Sequence, residues 1–507
     1  EALGRAFALG TPYQSFVALQ AAGLEARLGE TDAALDWIRR ALRSGLEDRV
    51  DLQTMKAFAG LRDDPRFRAL AGFPPDTSLD RDARWRYDLA YMVEEALRLH
   101  PSPRGGGLPP AFLDAATALE DSVPALSDAA ILRGLQRVVA RLGDGHSVVY
   151  GIREGEGASA RSYLPVLFWQ FDDGFFIVDA DSAHRDLLGS RVVALGGLPP
   201  DTVLARLAPC VNHDNALTTR WLGVRFYMRS PGWLRDVGAA ADSGGVQVAL
   251  EDSGGARRSV TLVPTHQDLP RKLHWPWRHE GAGAAGRASD GTGRTSDASG
   301  SAGGHGRAPL WLQDPDTNYW MRWLPDPGIL YVQFNQVRDE EDLPLSRFAD
   351  RLRARIDSTG TRTVVVDVRR NNGGNNGLLE PLLRTLAWFD ADRPGNRLFV
   401  LTSRNTFSAA QNFVNRVKWR TDATFVGEPS ASRPNVVGED THVVLPYSRA
   451  LLSISSRYWQ DFDPRDDRPW ISPDMPVGLT SEAFLAGRDP ALKAVVQAVE
   501  GEGRPGG

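Results

Sequence analysis

One cysteine, Cys210, stands in a chain of 507 residues. An internal disulfide and a zinc site built on cysteines are therefore excluded. Neither sign of charge dominates: 59 Lys and Arg face 64 Asp and Glu, a formal net charge of −5. Without a basic footprint, nucleic acid is not expected as a partner. No stretch of about 18 apolar residues occurs, so no membrane-spanning helix is expected. His-Glu-x-x-His, the P-loop and the Gly-x-Ser-x-Gly elbow are absent too, so zinc-protease, nucleotide-hydrolase and α/β-hydrolase readings lack their main signals. What is present is globular: 42% hydrophobic and 24% charged residues, with 50 Gly and 33 Pro. The last two exceed the average of about 12% together, which predicts a loop-rich chain. The length suggests about three domains.

Residues 1–78 read as helices. Leu24, Leu28, Ala33, Ala34, Trp37, Ile38 and Ala41 recur at three- and four-residue spacings, which predicts one shared helical face. A turn at Gly29-Glu30-Thr31 separates two helices, and Gly45 closes the second. The pair resembles one tetratricopeptide unit, which cannot bury its own face and needs neighbours. It is either a prefix docked on the main body or a helical repeat that binds a partner protein.

Residues 79–160 continue as helices, with a stripe of Trp85, Leu89, Met92, Val93 and Leu97, and end in an Asp-Gly-His loop at 144–146. Residues 161–277 switch to short runs rich in Val, Ile and Phe between Gly and Pro, the β signature. Within them, 186–207 resembles the core of a PDZ-like module: strand, Gly-Gly turn, helix. Residues 278–309 contain nine Gly and no Val, Phe, Met, Trp, Leu or Ile, a composition expected of a flexible linker. Residues 310–499 alternate strands and helices as an α/β domain, with Val364-Val365-Val366 suited to a buried parallel strand and a hairpin expected over 441–459. The tail, 500–507, is expected to be disordered.

Two Asp-Ser-Gly-Gly sequences, at 242–245 and 252–255, draw attention as nucleophile loops. Ser253, however, lies between two strand-like runs, where Asp, Ser and Gly are what a hairpin turn requires. Ser408 is the better nucleophile candidate. It follows a strand and opens a helix, where unpaired N–H groups and the positive helix end favour an oxyanion nearby. The plain alternative is a helix-capping serine. Upstream, Gly373 and Gly374 follow a strand, and such a turn exposes N–H donors suited to an oxyanion hole. His146 offers a general base in its loop. Cys210 reads as packing.

These motifs together resemble the tail-specific (C-terminal processing) serine peptidase family, which includes the tricorn core protease. The resemblance covers roughly 80–490. It rests on Asp-Gly-His, the PDZ-like module, Asn371-x-Gly373-Gly374, the Ser408-Ala-Ala helix start, Val-Gly-Glu at 426–428 and Ser-Pro-Asp at 472–474. It implies a multidomain α+β chain: a crotonase-like α/β peptidase domain, a PDZ-like β module and a helical N-terminal region. It implies serine endopeptidase activity on protein or peptide substrates, with no metal or cofactor. Ser408 would be the nucleophile; the N–H groups of Gly373 or Gly374 and of Ala409 would bind the oxyanion.

Where the Ser/Lys branch has its lysine, 25 residues after the serine, this chain has Arg433, which stays protonated and cannot act as a base. The resemblance therefore leans to the tricorn-type Ser/His branch, with His146 as base and Asp467, or the adjacent Asp466, as third member. Gly145 stands where that branch has a serine, Ser147 follows the histidine instead, and Gln411 replaces a glutamate often found after the nucleophile. Arg433 and Gln411 motivate the alternative of an inactive relative that binds peptides or scaffolds partners. The chain begins at Glu1, not Met, so the absence of a signal peptide is uninformative; a location outside the cytoplasm is slightly favoured.

Overall fold

In the computed structural model, residues 2–10, 13–46, 49–101, 107–150, 162–241, 244–265 and 308–502 are described. The chain folds as two compact units. One comprises Glu1–Arg161, Pro209–His213 and Val437–Trp459; the other comprises Ser162–Ala208, Asp214–Val436 and Gln460–Gly507. The linker expected at 278–309 lies outside the described residues except for its last two positions, and the tail expected at 500–507 is described only as far as residue 502.

The strands run in chain order as follows. β1 (Val148–Tyr150) closes the N-terminal helical region. β2 (Val166–Phe171), β3 (Gly174–Ala180), β4 (Arg191–Leu195), β5 (Val246–Glu251) and β6 (Arg257–Leu262) come next. Then follow β7 (Tyr319–Leu324), β8 (Ile329–Phe334), β9 (Thr363–Asp367), β10 (Arg397–Thr402) and β11 (Thr424–Gly427). β12 (Val436–Val444), β13 (Leu451–Trp459) and β14 (Met475–Pro476) complete the set.

In the first unit, helices Gln14–Leu28 and Thr31–Arg43 pack as a pair. Gly29 and Gly45 end them with φ of 81° and 95°, left-handed positions that glycine adopts without strain. The buried face is shifted from the expected one. Ala18, Leu19 and Ala22 meet Ala34, Leu35, Ile38 and Ala41, whereas Leu24 and Leu28 are 45% and 73% exposed. Small residues fill this face, and a Cβ on Gly23 would stand 3.2 Å from that of Ala57 in the short helix Lys56–Leu61.

The next helix, Arg81–Leu99, buries Trp85, Leu89 and Met92, but Leu97 of the expected stripe is exposed. Its core continues through Ile131, Leu135 and Val138 to Leu452 and Ile454 of β13. The expected hairpin is present as β12 and β13. It belongs to this first unit, in a three-stranded sheet of order β1-β13-β12. Asp88 secures its tip, accepting from the N–H groups of Tyr447 and Ser448, both at 2.8 Å.

The second unit holds two sheets. The antiparallel one has the order β2-β3-β4-β5-β6. After β4, Gly196 and Gly197 turn with φ of 57° and 81° into the helix Pro200–Leu207. A Cβ on Gly196 would overlap the Ala239 carbonyl oxygen at 1.8 Å, so only glycine fits. Asp252-Ser-Gly-Gly is the β5–β6 hairpin turn: Asp252 Oδ1 accepts from the N–H groups of Gly254 and Ala256, both at 2.9 Å.

The six-stranded sheet has the order β14-β11-β10-β9-β8-β7 and is parallel except for β7. Val364, Val365 and Val366 of β9 are fully buried, as expected of a strand covered on both faces. Helices Leu345–Thr359, Glu380–Asp392 and Ala409–Arg420 make the crossovers from β8 to β9, β9 to β10 and β10 to β11. The loops leaving β9 and β10 at their C-terminal ends carry Gly373 and Ser408, and such strand ends are where open α/β sheets place their sites.

Candidate active site

β10 ends at Thr402, and the chain crosses a short loop before the helix Ala409–Arg420 begins. Ser408 sits at the junction with φ 56° and ψ −127°, a strained conformation for a non-glycine residue, costing about 1–3 kcal/mol and persisting only where surroundings enforce it. Here they do. Thr406 Oγ1 donates to the Val368 carbonyl at 3.0 Å, Ser403 Oγ to that of Arg369 at 2.6 Å, and the Phe407 N–H to that of Asn371 at 3.1 Å. The loop that carries Ser408 is thus laced to the loop after β9. The Ser408 N–H donates to Ser432 Oγ at 3.3 Å. The Ser408 carbonyl accepts from the N–H groups of Gln411 and Asn412 at 2.8 and 3.2 Å.

The two glycines are required by packing. Gly373 has φ 108°, and a Cβ there would lie 2.6 Å from Ser408 Cβ, 2.9 Å from the Ala409 nitrogen and 3.0 Å from Ser408 Oγ. Gly374 has φ 137°, and its Cβ would lie 2.1 Å from the Val337 carbonyl oxygen. The donors differ in availability. The Gly373 N–H is engaged by Asn371 Oδ1 at 3.0 Å. Gly374 and Ala409, the latter in the helix's first turn, donate their N–H groups to no acceptor among the described residues. Asn371 is fully buried and also donates to the Phe334 carbonyl at 3.1 Å. The sequence motif includes Asn371 without giving it a role, although an Asn two residues before a turn glycine is the signature of an Asx turn.

Beneath the β9 loop, Arg369 joins Asp367 and Asp489. Its Nη1 and Nη2 donate to Asp489 at 2.9 and 2.7 Å, and its Nε to both Asp367 oxygens at 3.1 and 3.0 Å. Burial pushes the Tyr331 hydroxyl well above its ordinary pKa, reinforced by Asp367, which accepts from it at 2.6 Å. Asp461 anchors the helix that follows Ser408, accepting from Asn412 and Asn415 at 2.7 and 3.1 Å and from Arg416 at 3.4 Å. Gln411 is fully buried and donates to Asn415 Oδ1 at 2.8 Å.

Glu428 bonds the Arg404 guanidinium. Burial alone would raise the Glu428 pKa, but Arg404 holds it below the usual value. Arg433 is exposed and donates from Nε to the Asp214 carbonyl at 2.9 Å. Asp467 is exposed, and Asp466 pairs with Arg468 at 2.6 Å, which lowers its pKa.

His146 belongs to the first unit. Its loop is organised by Asp144, which is 2% exposed. Asp144 Oδ1 accepts from the N–H groups of His146 (2.8 Å) and Ser147 (2.6 Å) and from Ser455 Oγ (2.6 Å), and Oδ2 faces His100 Nε2 at 3.2 Å. Burial alone would raise this carboxyl; the hydrogen bonds from His100, Ser455 and Ser147 hold it at about 2. The imidazole of His146 lies over Gly438 of β12, where a Cβ would stand 3.3 Å from Cε1. Asn212 donates to the Gly145 carbonyl at 2.5 Å, and buried Cys210 offers its carbonyl to Gln136 at 3.1 Å. No helix among the described residues is long and apolar enough to cross a membrane.

This multidomain α+β chain, with its parallel sheet and a serine at the start of a helix, shares its fold with mature CPAF. It is similar to mature CPAF complexed with lactacystin: 14% identity over 83% of this chain and 99% of that one, with a TM-score of 0.56. Mature CPAF matches at 14% identity and the same coverage, with a TM-score of 0.53. The photosystem II D1 C-terminal processing protease aligns at 13% identity over 84% and 99% of the two chains, with a TM-score of 0.37. No family model and no curated protein matches the chain.

Proposed function

We propose that this protein is a serine endopeptidase in which Ser408 is the nucleophile and His146 the general base. The observation that carries the reading is the conformation of Ser408. A serine held at φ 56° at the start of a twelve-residue helix, against a glycine that leaves no room for a Cβ, has its side chain packed beside the Gly373 turn. A plain capping serine needs no such strain.

In the reaction, His146 takes the Ser408 proton as Oγ attacks the peptide carbonyl carbon. The oxyanion is held by the N–H groups of Gly374 and Ala409, while the engaged N–H of Gly373 shapes the turn. His146 returns the proton to the leaving amine, and water hydrolyses the acyl-enzyme by the same cycle. Asp467, or the adjacent Asp466, is assigned to orient the base. By the same reading 310–499 is crotonase-like, 161–277 is a PDZ-like module that captures extended chains, and 1–78 is a tetratricopeptide-like prefix.

The test is cleavage of a denatured protein substrate by wild type, Ser408→Ala and His146→Ala. Both variants should lose at least about a thousandfold in kcat/KM. Undiminished cleavage by Ser408→Ala refutes the assignment. Wild-type inactivity on every unfolded substrate, with a folded chain, points to a binding relative instead.

A further inference from the structure

The first unit contains a second histidine, with a buried side chain that reaches the loop of His146. His100 ends the helix Arg81–Leu99, with its N–H bonded to the Ala96 carbonyl. Its side chain is only 6% exposed, and Nε2 stands 3.2 Å from Asp144 Oδ2. We propose that His100 is a positioning residue for His146, acting through the Asp144 carboxylate. This rests on the reading of His146 as the base.

The argument is one of hydrogen-bond saturation. Asp144 is buried with no arginine or lysine paired to it among the described residues. A buried carboxylate must be satisfied by donors or it costs heavily. One oxygen takes three donors: two are the successive N–H groups of His146 and Ser147, and the third is the hydroxyl of Ser455 on β13. Ser147 Oγ in turn accepts from the Ser455 N–H at 3.0 Å. The other oxygen has His100 as its donor. Asp144 therefore sits between a helix end and a strand, and its orientation decides where the His146 backbone lies.

Removal of His100 leaves Oδ2 buried without its donor. The carboxylate then rotates or admits water, and the Oδ1 bonds to the loop weaken with it. A general base must keep its position to a fraction of an ångström, so the effect is expected on kcat more than on KM. Glutamine places its Nε2 donor close to where histidine has its own, whereas leucine fills the space without donating. The pair separates loss of the hydrogen bond from loss of packing.

The experiment compares wild type, His100→Gln and His100→Leu as full chains, by amide hydrogen exchange over 144–150 and by peptidase kinetics. In His100→Leu the amides of His146 and Ser147 should exchange about 10- to 100-fold faster, the scale of one buried unsatisfied polar group. kcat should fall by a similar factor with KM within about twofold, and His100→Gln should recover most of both. Unchanged exchange over 144–150 in His100→Leu overturns the proposal. So does a uniform rise in exchange across the unit that glutamine leaves in place, because that marks a merely structural role. If His100→Leu fails to fold, wild-type exchange and kcat in His100→Gln support the proposal, and a loss in that variant refutes it. If the wild type cleaves nothing, the peptidase reading has failed, while the exchange measurement still decides whether His100 holds the loop.

Discussion

Gly373 and Ser408 are packed so that a single added carbon on the glycine would stand 2.6 Å from the serine Cβ and 3.0 Å from its hydroxyl oxygen. Neither residue can be moved alone, because the loop after β9 accepts three hydrogen bonds from the loop that presents the serine.

Gly373→Ala should therefore disable the site with little global unfolding. The new methyl group forces Ser408 or the β9 loop away, and φ of 108° is hostile to alanine. kcat should fall at least about a hundredfold, and stability by about 1–3 kcal/mol, read from chemical denaturation. Wild-type kcat in a folded Gly373→Ala protein contradicts the geometry described.

Asp144 sets an acid limit on the stability of the first unit. Its carboxyl is held at about 2, below the value of 3.8 for a free side chain. A depressed pKa contributes stability that is present above pH ~4 and lost as pH falls toward 2. The shift corresponds to about 2 kcal/mol. The stability gap between wild type and Asp144→Asn should be widest above pH 5 and narrow steadily toward pH 2. A gap that stays constant across this range would show that the charge is immaterial.

Arg433 donates from Nε to the Asp214 carbonyl, a bond that lysine cannot make from the same position. Arg433→Lys should be no more active than wild type and should still need His146. Cleavage by the double variant Arg433→Lys, His146→Ala at or above the wild-type rate would mark a Ser/Lys enzyme that had lost its base.

Much of the second unit was legible because its signals are local. Val364-Val365-Val366 has the apolar run of a strand buried on both faces, and Asp252-Ser-Gly-Gly has the composition of a turn, and both are what they read as. The first unit was less legible, for reasons that are not local. Leu24 and Leu28 suit a helical face as well as Ala18 and Ala22 do, and only the packing of neighbouring elements selects the small residues. The hairpin was visible over 441–459, but its partner β1 lies about 300 residues earlier, a pairing no short-range pattern encodes. At the candidate site, Ser408 and the glycines stand out in the sequence through turn chemistry. The hydrogen-bonding roles of Asn371, Asp461 and Asp144 were not legible, because each reaches distant backbone or side chains.

The competing serine, Ser253, lies in the tight β5–β6 turn, where Asp252 makes the capping bonds and the serine hydroxyl is dispensable. Ser253→Ala should leave kcat/KM within about twofold of wild type and the melting temperature within about 2 °C. A loss of activity there would move the nucleophile out of the six-stranded sheet altogether.

The central claim is that Ser408 is an activated nucleophile, and covalent capture tests it without knowledge of the substrate. The full chain is treated with a fluorophosphonate probe at neutral pH, digested, and the modified residue is located by mass spectrometry. The account predicts a single adduct on Ser408, abolished in Ser408→Ala and strongly slowed in His146→Ala. An adduct on another serine, or Ser408 labelling no faster than that of a surface serine, would contradict it.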